Sequence, residues 1–506
     1  MNSLRNAAVL GAGACALSCS IVTDLSDVSP AVYMSADAAV DSPVSVICNL
    51  SGDVNMQPGC VASDADGVFV SDKGNDASAG TKSAPLKSMN AALAAAVAAK
   101  RPYVYACGGV YAGSVEVSSL VNIFGSFDCA TWSPAPSGEP TTRIVASKPA
   151  YGVLITASHV SMARVAIAGL DAQLPGESSF GVVVAGAQDV NLISVSIDSG
   201  AGKDGSAGEP VPNYNSKILG SDPSIAGNAP VGAQGGMPHA CMLCADGKNS
   251  VGGGGGNASS MQGTAGGSGL PAAKFSGIGG AGAPPSGMCF NGTVGAGGAA
   301  GADADPTAAT SYGAIVNGVW MPASGAPGKN GVVAQGGGGG GGGSGTVVSG
   351  GGSGGGCGGC GGGGGSGGSG GGASVGLLMT EVVVNNVAVD SQVSVRLSVI
   401  KSLGAGAGGA GLLGQIGQSG GMSSKAQVPG CSGAAGGTGG AGGAGAGGAG
   451  GLSAGVAWHG KAAPVIDAFT TTHITPGAAG KPGVGGRPGV TDGIPAVSAQ
   501  VVHLTL

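Results

Sequence analysis

Twelve cysteines are the residues of this chain with the most chemical scope, and four of them form two Cys-x2-Cys pairs, Cys241/Cys244 and Cys357/Cys360. That spacing is the one a four-thiolate zinc site uses. Both pairs lie in glycine-rich sequence, however. Setting aside Cys15 and Cys19 near the N-terminus leaves Cys48, Cys60, Cys107, Cys129, Cys241, Cys244, Cys289, Cys357, Cys360 and Cys431. An even set suits disulfides in an oxidising compartment, so disulfides are expected rather than metal, with connectivity left open. Cys107 and Cys129, each behind a short strand pattern, are expected to pair, and Cys48 and Cys60 are candidates to close a loop. The carboxylates Asp171, Asp189, Asp198 and Asp204 are scattered over turns without the paired spacing of acid–base catalysis. His159, His239, His459, His473 and His503 are far apart and read as turn or surface residues. Arg143, Arg164 and Arg396 alternate with apolar residues and are expected to point outward. Gly-x-Gly-x-x-Gly matches follow from composition, and none sits between a strand and a helix. No cofactor or metal is expected, and the pattern points away from an enzyme.

Composition narrows the classes further. Of 506 residues 110 are glycine, 3 % are aromatic and 9 % charged, with a formal net charge of −6. This leaves little for conventional cores and does not fit a highly charged disordered chain. Without a Lys/Arg cluster, nucleic acid is not an expected partner. Residues 1–19, "MNSLRNAAVLGAGACALSC", have Arg5, a short apolar run from Ala7 to Leu17 and small residues before cysteine, the pattern of a signal peptide. Cys19 after "ALS" resembles a bacterial lipoprotein processing site, although Ala16 stands where such sites prefer Leu and Cys15 after "AGA" competes. The resemblance implies export with a lipid anchor as the sole membrane attachment, in the outer membrane or outside the cell. Plain secretion is the alternative. No other stretch is continuously apolar for the ~18 residues a span needs.

These residues need elements to position them, and the chain divides by composition. Residues 20–66 form a polar linker, 67–199 alternate short β-type runs with turns, and 200–373 are glycine-rich. Strand-like sequence returns at 374–403, lapses into glycine at 404–454 and resumes at 455–506. Within this lies a repeat. "HVSMARVAIAG" places Val160, Met162, Val165 and Ile167 before Gly169, and "DVNLISVSIDSG" places Val190, Leu192, Val195 and Ile197 before Gly200, both with 2-3-2 spacing. Alternation by two marks a strand with one buried face, and the step of three marks a bend. Looser copies are expected at Leu397 and Val399, and at Phe469, Thr472 and Ile474. Such units bury their apolar face by stacking, which makes a solenoid.

The stretch "FVSDKGNDASAGTKSAPLKSMNAALAAAVA…RPYVYACGGVYAGSVEV" resembles the start of right-handed parallel β-helix proteins of the pectin-lyase-like superfamily. "VNIFGSFDCATW" is similar to that family's second coil, with Phe127 and Trp132 as packing residues. The resemblance implies an all-β, right-handed parallel β-helix with a short N-terminal capping helix and glycine-rich loop insertions. Pro85 suits the helix start, and Met89, Leu93 and Val97 give its stripe. Enzymes of this fold use clustered acids with an arginine base or a His-Gly motif, and "WHG" at Trp458–Gly460 is the nearest match, without its partners. The glycine tracts resemble those of surface proteins from gliding and predatory soil bacteria and of mycobacterial PGRS proteins. Glycine near every third position in "GCSGAAGGTGGAGGAGAGGAGG" is compatible with polyglycine-II-like packing. A flexible loop is the expected state, because glycine loses most entropy on ordering. A non-catalytic surface or adhesion protein is the expected function, self-association a further prospect, and binding or degradation of a cell-surface or extracellular polysaccharide the alternative.

Overall fold

The step of three in the repeated unit is a corner made by one left-handed residue. In the structure, a computed structural model, residues 62–505 are described apart from 137, 216–231, 241–243, 286, 306–310, 317–318, 346–349, 385–386 and 422–429. Arg164 (φ 57°), Ser194 (φ 52°) and Leu397 (φ 52°) each divide two short strands: Ser161–Ala163 from Val165–Ala168, Val190–Ile193 from Ser196–Asp198, and Val393–Arg396 from Val399–Lys401. A second corner repeats at His159 (φ 58°) and Asp189 (φ 54°). A non-glycine residue at positive φ is uncommon. Its recurrence at one place in the repeat shows the bend is built in.

Between corners the strands fall into three parallel sheets. Sheet I runs Gly67–Val70, Tyr103–Cys107, Asn122–Phe127, Ser161–Ala163, Val190–Ile193, Val393–Arg396, Val465–Ile466. Sheet II runs Gly109–Ala112, Thr142–Val145, Val165–Ala168, Ser196–Asp198, Val399–Lys401, Ile474–Thr475. Sheet III runs Val115–Val117, Val153–Ile155, Ser179–Ala185, Ser374–Thr380, Ser453–Trp458, Ser498–His503. From Tyr103 onward the chain visits them in the order I, II, III and then repeats the circuit. In register, equivalent side chains stack: Ile144, Ile167, Ile197, Ile400 and Ile474 in sheet II, and Ile155, Val184, Met379, Trp458 and His503 in sheet III. The aliphatic members of both ladders belong to one buried cluster, in which each contributes roughly 1.5–3 kcal/mol; Trp458 packs against it partly buried, and His503 is exposed. The fold is thus mostly β, with two helices among the described residues.

The later circuits depart from the sequence reading. Leu397 is the corner residue rather than an inward one, and the core positions beside it are Val395 and Ile400. Phe469 and Thr472 lie in a short helix, α2 (Ala468–Thr472), capped by Asp467, so only Ile474 continues the ladder. A helical turn there fills the path from sheet I to sheet II.

Helix α1 (Met89–Ala99) closes the first end. Ser88 caps it by accepting from the Ala91 N–H, and Lys100 ends it in the left-handed conformation. Pro85 lies before the cap, not at the helix start. The buried stripe is Met89, Ala92, Leu93 and Ala96, and Val97 is 48 % exposed rather than part of it. Asn90 donates from Nδ2 to the Ser114 carbonyl (2.9 Å) and accepts from the Glu116 N–H (3.3 Å). One carboxamide thereby occupies the free edge of the Val115–Val117 strand, where an unpaired edge invites aggregation.

All the glycine-rich sequence enters at one corner, between sheets II and III. It follows Ser196–Asp198 and returns at Ser374; it follows Val399–Lys401 and returns at Ser453; it follows Ile474–Thr475 and returns at Ser498. Outgoing segments keep the stacking of the strands they leave: Ala172 N–H donates to Ala201, Gly202 to Gly404 and Ala405 to Ala478. Returning segments do likewise, with Gly371 donating to Ala449 and Gly450 to Ile494.

Candidate functional site

The glycine-rich segments form a bundle of extended chains, and Gly336–Gly343 is its axis. Gly336, Gly339 and Gly342 donate to Leu270, Gly267 and Thr264; Gly337, Gly340 and Gly343 to Gly356, Ser353 and Gly350; Gly338 and Gly341 to Thr293 and Phe290, at 2.8–3.1 Å. The partner changes with a period of three, as in a helix of three residues per turn. Three more segments donate to the axis: Gly253 and Gly256 to Gly337 and Gly340, Gly280 and Ala283 to Gly339 and Gly342, Ala434 and Cys431 to Gly338 and Gly341. Six neighbours surround one chain, so none of the positions from Gly336 to Gly342 has room for a side chain. A Cβ on Gly339 would stand 2.0 Å from the Gly254 oxygen, and one on Gly340 2.0 Å from that of Cys431. In the described tracts the expected flexible loop is thus replaced by an ordered lattice. Backbone hydrogen bonds supply the order that side-chain burial cannot.

Where a chain lacks a neighbour, a side chain stands in for the missing carbonyl. The Asp171, Asp204 and Asp303 carboxylates accept from the backbone N–H groups of Ala201 (2.7 Å), Ala407 (2.7 Å) and Ala444 (2.9 Å). Gln335 accepts from Ala296 and donates to Gly269; Asn257 and Asn291 accept from Gly235 and Ser432. These acids and amides hold the fold.

The cysteines fasten it. Cys107 and Cys129 are joined (Cα–Cα 5.0 Å), as expected. Cys244 bonds Cys360, crossing from one Cys-x2-Cys pair to the other, and Cys289 bonds Cys431; both bridges tie segments of the bundle. Cys357 is also disulfide-bonded. Cys19, Cys48, Cys60 and Cys241 lie outside the described residues.

The remaining candidates are committed locally. Asp189 pairs with His159 across two corners at 3.1 Å, and that hydrogen bond holds its carboxyl below the usual range. Asp198 is half-buried on sheet II. In "WHG", Trp458 stacks on His503 (3.9 Å), while His459 meets the Leu504 carbonyl through Nδ1 (2.9 Å) and Glu381 through Nε2 (3.5 Å). Asp390 accepts from the Lys461 N–H close by. His473 stacks on Phe469. Arg143 and Arg396 face solvent, but Arg164 is only 4 % exposed, donating to the Ala135 and Pro136 carbonyls of a loop folded over it. Burial pushes its guanidinium down. Glu116, Tyr151 and Lys148 form a polar cluster that the sequence reading missed, linking the Val115–Val117 strand to the turn before Val153–Ile155, with Glu116 lining a cleft of about 610 Å³ beside α1. Tyr151 first, then Lys148, holds the Glu116 carboxyl down.

Among the described residues, no three His, Cys, Asp or Glu side chains gather to hold a metal ion, and no helix is long and apolar enough to cross a membrane. No protein-family profile, curated protein or solved structure matches the chain.

Proposed function

We propose that the protein is an exported, lipid-anchored surface scaffold with an adhesion, matrix or spacer role, and that its three sheets are the faces of a right-handed parallel β-helix displaying the glycine bundle. The handedness follows the near-universal rule for parallel crossovers. The carrying observation is the allocation of chemistry: acids, amides and cysteines of the bundle are engaged in fastening its own backbone. A rigid lattice projecting from one corner of a stack suits presentation of a surface. Lipid anchoring rests on the Cys19 pattern, and self-association remains part of this reading.

The polysaccharide alternative draws on Glu381 and His459, 3.5 Å apart, with Asp390 accepting from the Lys461 N–H close by near Trp458. Incubating folded protein with acidic and neutral polysaccharides, with and without calcium, and following reducing ends and unsaturated products tests the degrading form of that alternative, and retention of the protein on the same polysaccharides tests the binding form. The scaffold reading predicts no product, and product formation would overturn it. For the anchor, Cys19→Ser is expected to abolish labelling by a radioactive fatty acid in a bacterial host; unchanged labelling would overturn that assignment.

A further inference from the structure

One extended segment of the bundle, 404–416, has a gap in its bonding beside a cleft. Its carbonyls accept at every third residue: Gly404, Ala407 and Ala410 from the N–H groups of Gly202, Gly205 and Gly208 (2.8–3.1 Å), and Ile416 from the Tyr214 hydroxyl. The carbonyl between them in that series, Leu413, accepts from no group among the described residues. Val211, which by the same step of three from Gly208 would donate to it, has no acceptor among them either. Both residues line one cleft of about 590 Å³. Pro210 and Pro212 beside Val211 bring no N–H to it, and Gly363–Gly365 and Gly485–Gly486 supply backbone alone. Gln415 on its wall is already engaged, accepting from the Asn213 (2.9 Å) and Gly363 (3.1 Å) N–H groups and donating to the Tyr214 carbonyl (3.0 Å). No lining residue is charged.

We propose that this cleft seats an extended, glycine-rich segment of a different polypeptide. An occupant that satisfies both groups accepts from the Val211 N–H and donates to the Leu413 carbonyl, and a peptide backbone carries both functions. Lying along a segment whose bonds recur every three residues, it takes the same three-residue extended helix. Walls of proline rings and glycine backbone leave no pocket for large side chains. An apolar small molecule would instead cover both backbone groups and leave them unpaired, at a cost. A charged partner finds no counter-charge in the lining. The described glycine tracts of this chain bond within their own lattice, so a second copy has none to offer and the segment comes from another protein. The inference depends on the folded bundle and not on export or display, so its failure leaves the proposed function standing and can be told apart from it.

The test is fluorescence anisotropy of a labelled peptide of Gly-Gly-Ala repeats titrated with the full, disulfide-intact chain. Saturable binding is expected. The same peptide with N-methylglycine in place of glycine, which removes N–H donors and stays small, is expected to bind roughly tenfold more weakly or worse. Leu413→Trp, which fills the cleft from a position 70 % exposed, is expected to weaken binding as much, with disulfide content and far-ultraviolet dichroism checking its fold. Should that variant misfold, the N-methylated peptide decides alone, since it leaves the protein untouched. Absence of saturable binding, equal binding of the N-methylated peptide, or unchanged binding by folded Leu413→Trp would each overturn the proposal.

Discussion

The sheet stack and the glycine bundle satisfy the same backbone in opposite ways. In the stack, hydrogen bonds join parallel strands and inward Val, Ile, Leu and Met side chains supply the buried surface. In the bundle, each axial residue reaches a different neighbour in turn, and a side chain would hold the chains apart. Volume is therefore needed in one region and excluded in the other. Glycine content reads as crowding: all positions at the axis, and two in three along much of 436–448, where the third carries Thr438, Ala441 or Ala444.

Four outcomes would sharpen or break this comparison, from the largest effect down. Reducing the disulfides should release the bundle while the stack persists, because Cys244–Cys360 and Cys289–Cys431 close separations of 116 and 142 residues. Chain entropy alone assigns each about 4–5 kcal/mol. Two separate melting transitions under reductant are expected, and a single unchanged transition would count against the division. Next, Ile197→Ala, which leaves a void in a filled ladder, should cost about 2–5 kcal/mol in the stack's transition. Gly339→Ala should instead damage the bundle by overpacking, at roughly 1–3 kcal/mol or more, whereas Thr438→Ala on an exposed outer position should be near neutral. Equal effects of the two would deny that neighbours set the glycine requirement. The smallest effect concerns pH. Glu116, held low by Tyr151 and Lys148, Asp128, held low by Thr131, and Asp189, held low by His159, have depressed values in the folded state. Their contribution is present above the unfolded carboxylate range near ~4 and is lost as pH falls through the depressed values. Melting temperature should be flat from neutral pH to that range and decline below it.

Much of the stack was legible in the sequence. The 2-3-2 spacing located both strands and the corner, since alternation and its interruption are side-chain signals. The copies at 393–401 and 465–475 are obscured where a corner residue, Leu397, is itself apolar and where α2 replaces a strand path. Arg164 carries the pattern of a solvent-facing residue, because nothing local in the sequence announces the loop that covers it. In the bundle, the period of three was visible but the partners were not: glycine offers no side chain to distinguish one neighbour from another. The Cys-x2-Cys spacing likewise concealed a bridge between the pairs, since connectivity belongs to the tertiary arrangement.

Hydrogen exchange of the Gly336–Gly343 amides tests the central claim most directly. If this segment is the axis of a bonded lattice, these amides exchange orders of magnitude more slowly than an unstructured glycine chain, and reduction of the disulfides removes the protection. Exchange at the unstructured rate in the oxidised protein would contradict the account.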